Sequence, residues 1–426
     1  MSALEKLTSS VQIPDLYHVS RAFKNDSIAD VDAAVRAALD ACGLAARLPQ
    51  GGNIAVGVGS RGIGRIPEIV HATVAWFKDH GTRPFVIPCM GSHGGATAEG
   101  QIGMLAHLGV TEASAGCPVK ASMDVVQRGC IDNGMPVYMD AMAAAADGIF
   151  VINRVKPHTS FTGCHESGIV KMLTIGLGKQ RGAESCHVFG FGPFPEFMPK
   201  MAQLILDTTP TVLGALAIVE NSLDKPCLFE GVLHEHIVER DAALLEYART
   251  RIGTLPMNTL DVLLVHQLGK NIAGSGMDPN VTGRASTPYK KANMQATRIG
   301  VLRLTPESNG NATGIGLSDV TTKKLADEID FDYMYANVLT ATVVKAGFLP
   351  IIAPTDELAL RALIMTCNAG QRPLRLAYIR DTLKLDSFWV SQAVAEELKA
   401  RSDCTVADKA EAFLFSKAGE LLAPAW

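Results

Sequence analysis

Residues 156–187 read KPHTSFTGCHESGIVKMLTIGLGKQRGAESCH, with little apolar bulk. The stretch holds three histidines, His158, His165 and His187, two lysines suited to carry a group, Lys171 and Lys179, and a Gly176-x-Gly178 turn. Imidazole titrates near neutrality and also ligates soft metals. A lysine amine can anchor a group covalently. A segment built only for packing would not concentrate imidazoles beside a flexible turn. His158, Lys171 and His187 therefore offer a proton shuttle, a covalent anchor and a metal ligand.

Such residues need elements to hold them. Short apolar runs at 53–58, 84–89, 148–153 and 214–220 read as buried strands, and 67–78 has helical spacing with Pro67 in its first turn. A second set follows, with strands at 261–266, 299–304 and 348–353 and helices at 317–335 and 355–367. Gly and Pro interrupt the pattern at 251–257, after a helix at 240–247. The alternation predicts an α/β protein: two α/β domains with largely parallel sheets and an active site in the cleft between them. The expected domains are 1–254 and 258–387. The tail 388–426 has helical patterns at 387–400 and 407–421, and whether it packs back on the first domain stays open at this point.

In parallel sheets, ligands bind beyond the carboxyl ends of the strands. Four predicted strand ends deliver polar groups there. They are Ser60-Arg61 after the first, the GSHGG loop with His93 after the second, Lys156-Pro157-His158 after the third, and Gln267-Leu268-Gly269-Lys270 after 261–266. Arg61 has the guanidinium that pairs bidentately with a carboxylate. His165 has no strand-end context and reads as a loop residue or a support for its neighbours. His234-Glu235-His236 has weak ligand spacing, and His71 and His80 sit on an ordinary helix. The run 175–182 is neither a Walker loop nor a dinucleotide fingerprint. It reads equally as a phosphate cradle or as a plain join between elements.

Composition narrows the partners. A formal net charge of -4 and the absence of a basic run give no footprint for nucleic acid. No apolar stretch reaches the roughly 18 residues of a membrane span, and the first residues do not read as an export signal. Nine scattered cysteines without a C-x-x-C pair exclude zinc ribbons and dithiols by spacing. Their odd number predicts reduced thiols and a cytoplasmic protein. A small molecule is the expected partner.

At these residues the chain resembles nickel-dependent lactate racemase and its wider group of 2-hydroxy acid racemases and epimerases. Ser60-Arg61 resembles the family's substrate-binding turn. GSHGGAT around His93 and KPH at 156–158 resemble its two catalytic histidine loops. Gly168-Ile169-Val170-Lys171 resembles the segment ending in the cofactor lysine, and His187 follows Lys171 at the interval of the nickel-ligating histidine. Gln267 and Lys270 repeat the offset of a substrate-contacting pair. The resemblance implies a nickel-pincer nucleotide, a pyridinium mononucleotide carried covalently on Lys171. Gly176 and Gly178 would lie against it and His187 would bind nickel. It also implies maturation enzymes as partners. Val58 stands where the family has an acidic residue, which marks a divergent branch acting on a larger hydroxy acid or doing related chemistry.

The implied reaction is racemisation or epimerisation by reversible hydride transfer through a 2-keto acid. The C–H of a 2-hydroxy acid is too weakly acidic for an imidazole of pKa near 6.5. His93 and His158 would move the hydroxyl proton on opposite faces, and Arg61, Gln267 and Lys270 would hold the substrate. Two alternatives stand beside this reading. One is a nicotinamide-dependent dehydrogenase, which the glycines at 57–65 support poorly. The other is a non-catalytic binder of organic acids or nucleotides.

Overall fold

The structure is a computed structural model that describes residues 3–60 and 62–424. The chain forms two compact units: residues 24–252 make one, and residues up to 23 join those from 253 onward to make the other. The strands, in chain order, begin with β1 (Leu16–Arg21), which belongs to the second of these units.

The 24–252 unit contains β2 (Asn53–Val58), β3 (Arg83–Pro88), β4 (Val125–Cys130), β5 (Pro136–Asp140), β6 (Gly148–Arg154), β7 (Val212–Glu220) and β8 (Pro226–Leu233). Its main sheet has the order β3-β2-β6-β7-β8, parallel except for the β7–β8 pair. β4 and β5 make a separate antiparallel hairpin. Every residue of β7 is buried, which is why it reads as an unbroken apolar run. The helix Ile66–Asp79 covers the sheet with Ile69, Val70, Trp76 and Phe77. Phe77 meets Phe150 edge to face at 5.2 Å, and truncating a buried aromatic of this kind costs about 3–5 kcal/mol.

The other unit holds β9 (Thr259–Leu268), β10 (Gln295–Leu304), β11 (Val320–Thr322), β12 (Ile351–Ala353), β13 (Leu376–Ile379), β14 (Ser387–Val390) and β15 (Cys404–Glu411). With β1 they form a sheet of order β12-β11-β10-β9-β13-β14-β1-β15. The first five are parallel, and β14, β1 and β15 join antiparallel. The fold is thus two α/β units with mostly parallel sheets, as the alternating pattern predicts.

Three expectations change. Residues 317–335 are not one helix. Thr321 and Thr322 form β11, Thr322 caps the helix Lys323–Asp327, and Asp330 caps the helix Phe331–Thr340. In sequence, a capping Thr or Asp looks the same as a polar residue on a helix's exposed face. The tail at 387–421 is mainly strand, with one helix at Gln392–Leu398. The β15 sequence CTVADKAE has helix-forming residues, but it lies at a sheet edge, where charges face water. Lastly, the tail strands β14 and β15 pair within the sheet of the unit that starts again at 253. Both pair with β1, and this pairing draws the first 23 residues out of the expected 1–254 domain. Among the described residues no helix is long and apolar enough to cross a membrane.

Candidate active site

Three strand ends of the 24–252 unit carry the candidate residues. β2 runs into Gly59 and Ser60, whose hydroxyl lies 2.5 Å from Nδ1 of His93. His93 itself is exposed in the loop after β3. Its backbone N–H donates to Met90 O at 3.1 Å, closing the loop on itself. The neighbouring Arg61 lies outside the described residues.

His158 follows β6, half-buried. Its Nδ1 accepts the backbone N–H of Ser160 at 3.0 Å. An accepting Nδ1 has no proton, so the neutral ring carries its proton on Nε2. The loop around it is held by Glu166, a buried carboxylate. Glu166 accepts from His158 N at 2.5 Å, Gly163 N at 3.1 Å and Arg249 at 2.5 Å. Lys156 and Ser167 close the loop by exchanging backbone hydrogen bonds at 2.7 and 3.2 Å.

The chain then enters the helix Ile169–Lys171, whose first turn is capped from afar. Asp241, buried on the helix Ile237–Arg249, accepts Ile169 N at 2.5 Å through Oδ1 and meets His165 Nδ1 at 2.9 Å through Oδ2. A Cβ on Gly168 would collide with that carboxylate, so the close approach needs glycine. His165, left above as a loop residue or support, is therefore a buried partner of the cap.

Lys171 and His187 lie sixteen residues apart. On one straight helix they would stand about 24 Å apart. The helix is not straight. A π-helical turn spans Met172–Gly176, and Lys179 sits in the left-handed region at φ 54°, starting the helix Lys179–His187 in a new direction. Gly176 and Gly178 permit this crowding. A Cβ on Gly176 would come 3.0 Å from Cys89 O, and one on Gly178 would come 2.6 Å from Thr174 O. Protein backbone occupies the place a side chain would take at both positions, which gives each a packing reason to be glycine. The second lysine, Lys179, is fully buried against Asp140 and offers no amine to a bound group.

With this break in the helix, His187 feels the Lys171 charge. Burial, first, and the Lys171 ammonium, second, hold the His187 pKa down at about 4. The ring is neutral at pH 7. Its edges meet Phe191 and Phe194, each at 5.3 Å, and Phe191 also lies 5.8 Å from the His158 ring. Nδ1 of His187 is buried and has no hydrogen-bond partner among the described residues. An unmet buried nitrogen costs about 1–3 kcal/mol, which a ligand would offset.

Gln267 and Lys270 stand on the other unit, at and beyond the end of β9. Gln267 donates to Asp381 at 3.3 Å. Lys270 Nζ donates to Gly274 O at 2.6 Å and Asn337 Oδ1 at 2.7 Å. The residues that no local pattern revealed are the buried carboxylates Asp241 and Asp140, from segments without a motif, and Glu166, which lies within 156–187 but is not singled out there.

No family model matches the chain, and no curated protein matches it. Among solved structures it is similar to the lactate racemase apoprotein from Thermoanaerobacterium thermosaccharolyticum. The TM-score is 0.50 at 12% identity, over 87% of this chain and 99% of that one. At that identity the likeness is one of fold: this chain has a lactate-racemase-like fold.

Proposed function

We propose that the protein is an isomerase, a racemase or epimerase of a 2-hydroxy acid that uses a nickel-pincer nucleotide carried on Lys171. One observation carries the reading: a half-buried lysine lies within electrostatic reach of a neutral imidazole whose buried Nδ1 lacks a partner among the described residues. Among the described residues no cluster of three or more His, Cys, Asp or Glu is disposed to hold a metal. A metal at His187 would therefore draw its other donors from the bound group, as a sulfur–carbon–sulfur pincer provides. The residues fit such a group: Lys171 would anchor it and His187 would complete the metal's ligands. When bound, it supplies a site that takes up hydride from C2 of the substrate and returns it.

The protein's own residues then handle protons. His158 exchanges a proton with the substrate oxygen through Nε2: taking the hydroxyl proton there requires the Nδ1–H tautomer, because the Nε2–H tautomer that accepts Ser160 N–H only donates a hydrogen bond. His93, oriented by Ser60 through Nδ1, does the same through Nε2. Glu166 keeps the His158 loop in place, and Phe161 and Phe191 pack against the His158 ring. The substrate-holding roles of Arg61, Gln267 and Lys270, and the action of maturation enzymes on Lys171, rest on the sequence resemblance.

The test uses single enantiomers of 2-hydroxy acids deuterated at C2 and protein made beside the maturation enzymes. Internal hydride return keeps deuterium in the inverted product. Inversion with loss of deuterium to water, or no inversion of any hydroxy acid by protein shown to carry the group, overturns the reading.

A further inference from the structure

We infer that Lys179 is a positioning residue that sets His93 in register with the Lys171–His187 segment; the inference rests on the acid–base role proposed for His93. Lys179 is fully buried, and so is its partner Asp140 at 2.9 Å. Asp140 ends β5, and its other oxygen caps the next helix through Ala143 N at 2.9 Å. The Lys179 ammonium also donates to Pro88 O, at the end of β3, at 2.7 Å and to Oε1 of Gln101 at 3.1 Å. One side chain thus ties together the turn after the π-helix, the β4–β5 hairpin, the end of β3 and the helix Ala98–His107.

Stability does not account for this arrangement. A buried ion pair replaced by apolar groups of equal volume is often neutral or more stable. Its geometric effect is specific. An ammonium has donors only, so the Gln101 amide must present its oxygen to Lys179. Its nitrogen then faces the other way and donates to Gly91 O at 2.9 Å and His93 O at 3.3 Å. These are the carbonyls of the loop that carries His93. The charge at 179 therefore sets the amide, and the amide sets the loop. The same residue's left-handed backbone aims the helix that ends in His187. The side chain of Lys179 places one half of the site, and its main chain places the other.

The test uses the full-length apoprotein with 15N-labelled histidine and two variants. Gln101→Met keeps the volume and the Lys179–Asp140 pair but removes the donors to the loop. The double variant Lys179→Met with Asp140→Asn removes both charges together and keeps an acceptor for the cap. The expected result is a folded protein in which the His93 ring nitrogens shift or broaden while those of His158 stay as in the parent. In protein carrying the bound group, kcat for the hydroxy acid turned over fastest should fall about 10- to 100-fold with KM nearly unchanged. His93 resonances identical to the parent's in both variants overturn the inference, as does an equal disturbance of His158, which would mean general loosening. A parent that racemises nothing defeats the racemase reading alone, because the His93 spectrum still decides the positioning role.

Discussion

Lys171 and His187 are separated by sixteen positions and by a change of helix type, yet the charge of one depresses the pKa of the other. Their proximity is a product of the turn at Lys179. A group fixed to Lys171 and a metal on His187 can therefore belong to one site. In protein made beside the maturation enzymes, peptide mass spectrometry should find the adduct on Lys171. Metal analysis of His187→Ala should show nickel reduced to a small fraction of the parent's. Full nickel in that variant removes His187 from the metal site.

The Asp241 cap should matter to both folding and loading. Asp241→Ala leaves the amide of Ile169 and the ring of His165 without their buried acceptor, at a cost of about 3 kcal/mol. Asp241→Asn keeps one acceptor and should cost less. Urea midpoints of the two variants give the order directly. The adduct yield on Lys171 should follow the same order, since the capped turn presents that lysine. Equal midpoints for all three proteins would show that the carboxylate does not hold the turn.

Acid should weaken the unit that contains β9, partly through His266. Its Nδ1 meets the Tyr378 hydroxyl at 2.8 Å, and burial, then the Arg303 charge, hold its pKa at about 4. An unfolded histidine takes its proton near pH 6.5. The lowered group costs nothing above that pH. Between about pH 6.5 and 4 the unfolded chain binds the proton first, so stability falls as pH falls, by at most about 3 kcal/mol. Denaturation of His266→Gln at several pH values should give a shallower fall than the parent. Parallel curves would mean that His266 titrates alike in both states.

His93 and His158 should divide their work by substrate hand. A positioned acid–base group typically contributes about 10²–10⁴-fold. In single-turnover reactions, His93→Ala and His158→Ala should slow opposite enantiomers more, with the bound group retained in both. If each variant processes both enantiomers at the parent rate, protons move by another route.

The strand ends that deliver His93 and His158 are legible because parallel strands, covered on both faces, leave continuous apolar runs with the polar residue next in line. What holds those histidines is not legible. Asp241 is 72 positions from Ile169, and Gln101 is 78 from Lys179. No local pattern marks a glutamine or a lysine as buried partners of each other. The glycines at 176 and 178 read as a possible phosphate cradle because a glycine that admits a ligand and one that admits a neighbouring backbone look the same in sequence. The strands β1 and β15 escaped for a related reason. Their alternation is weak, and their partners lie at the far end of the chain.

That placement of β1 has a consequence for biosynthesis. It sits inside its sheet, between β14 and β15, and His18 meets Ser387 at 2.8 Å across 369 positions. At roughly 5–20 residues per second, its neighbours leave the ribosome on the order of 20–70 s after it does. The strand must wait unpaired while the whole 24–252 unit is made and can fold. A nascent chain arrested before residue 387 would expose β1 as an open edge, a natural target for chaperones and for misassembly with other copies.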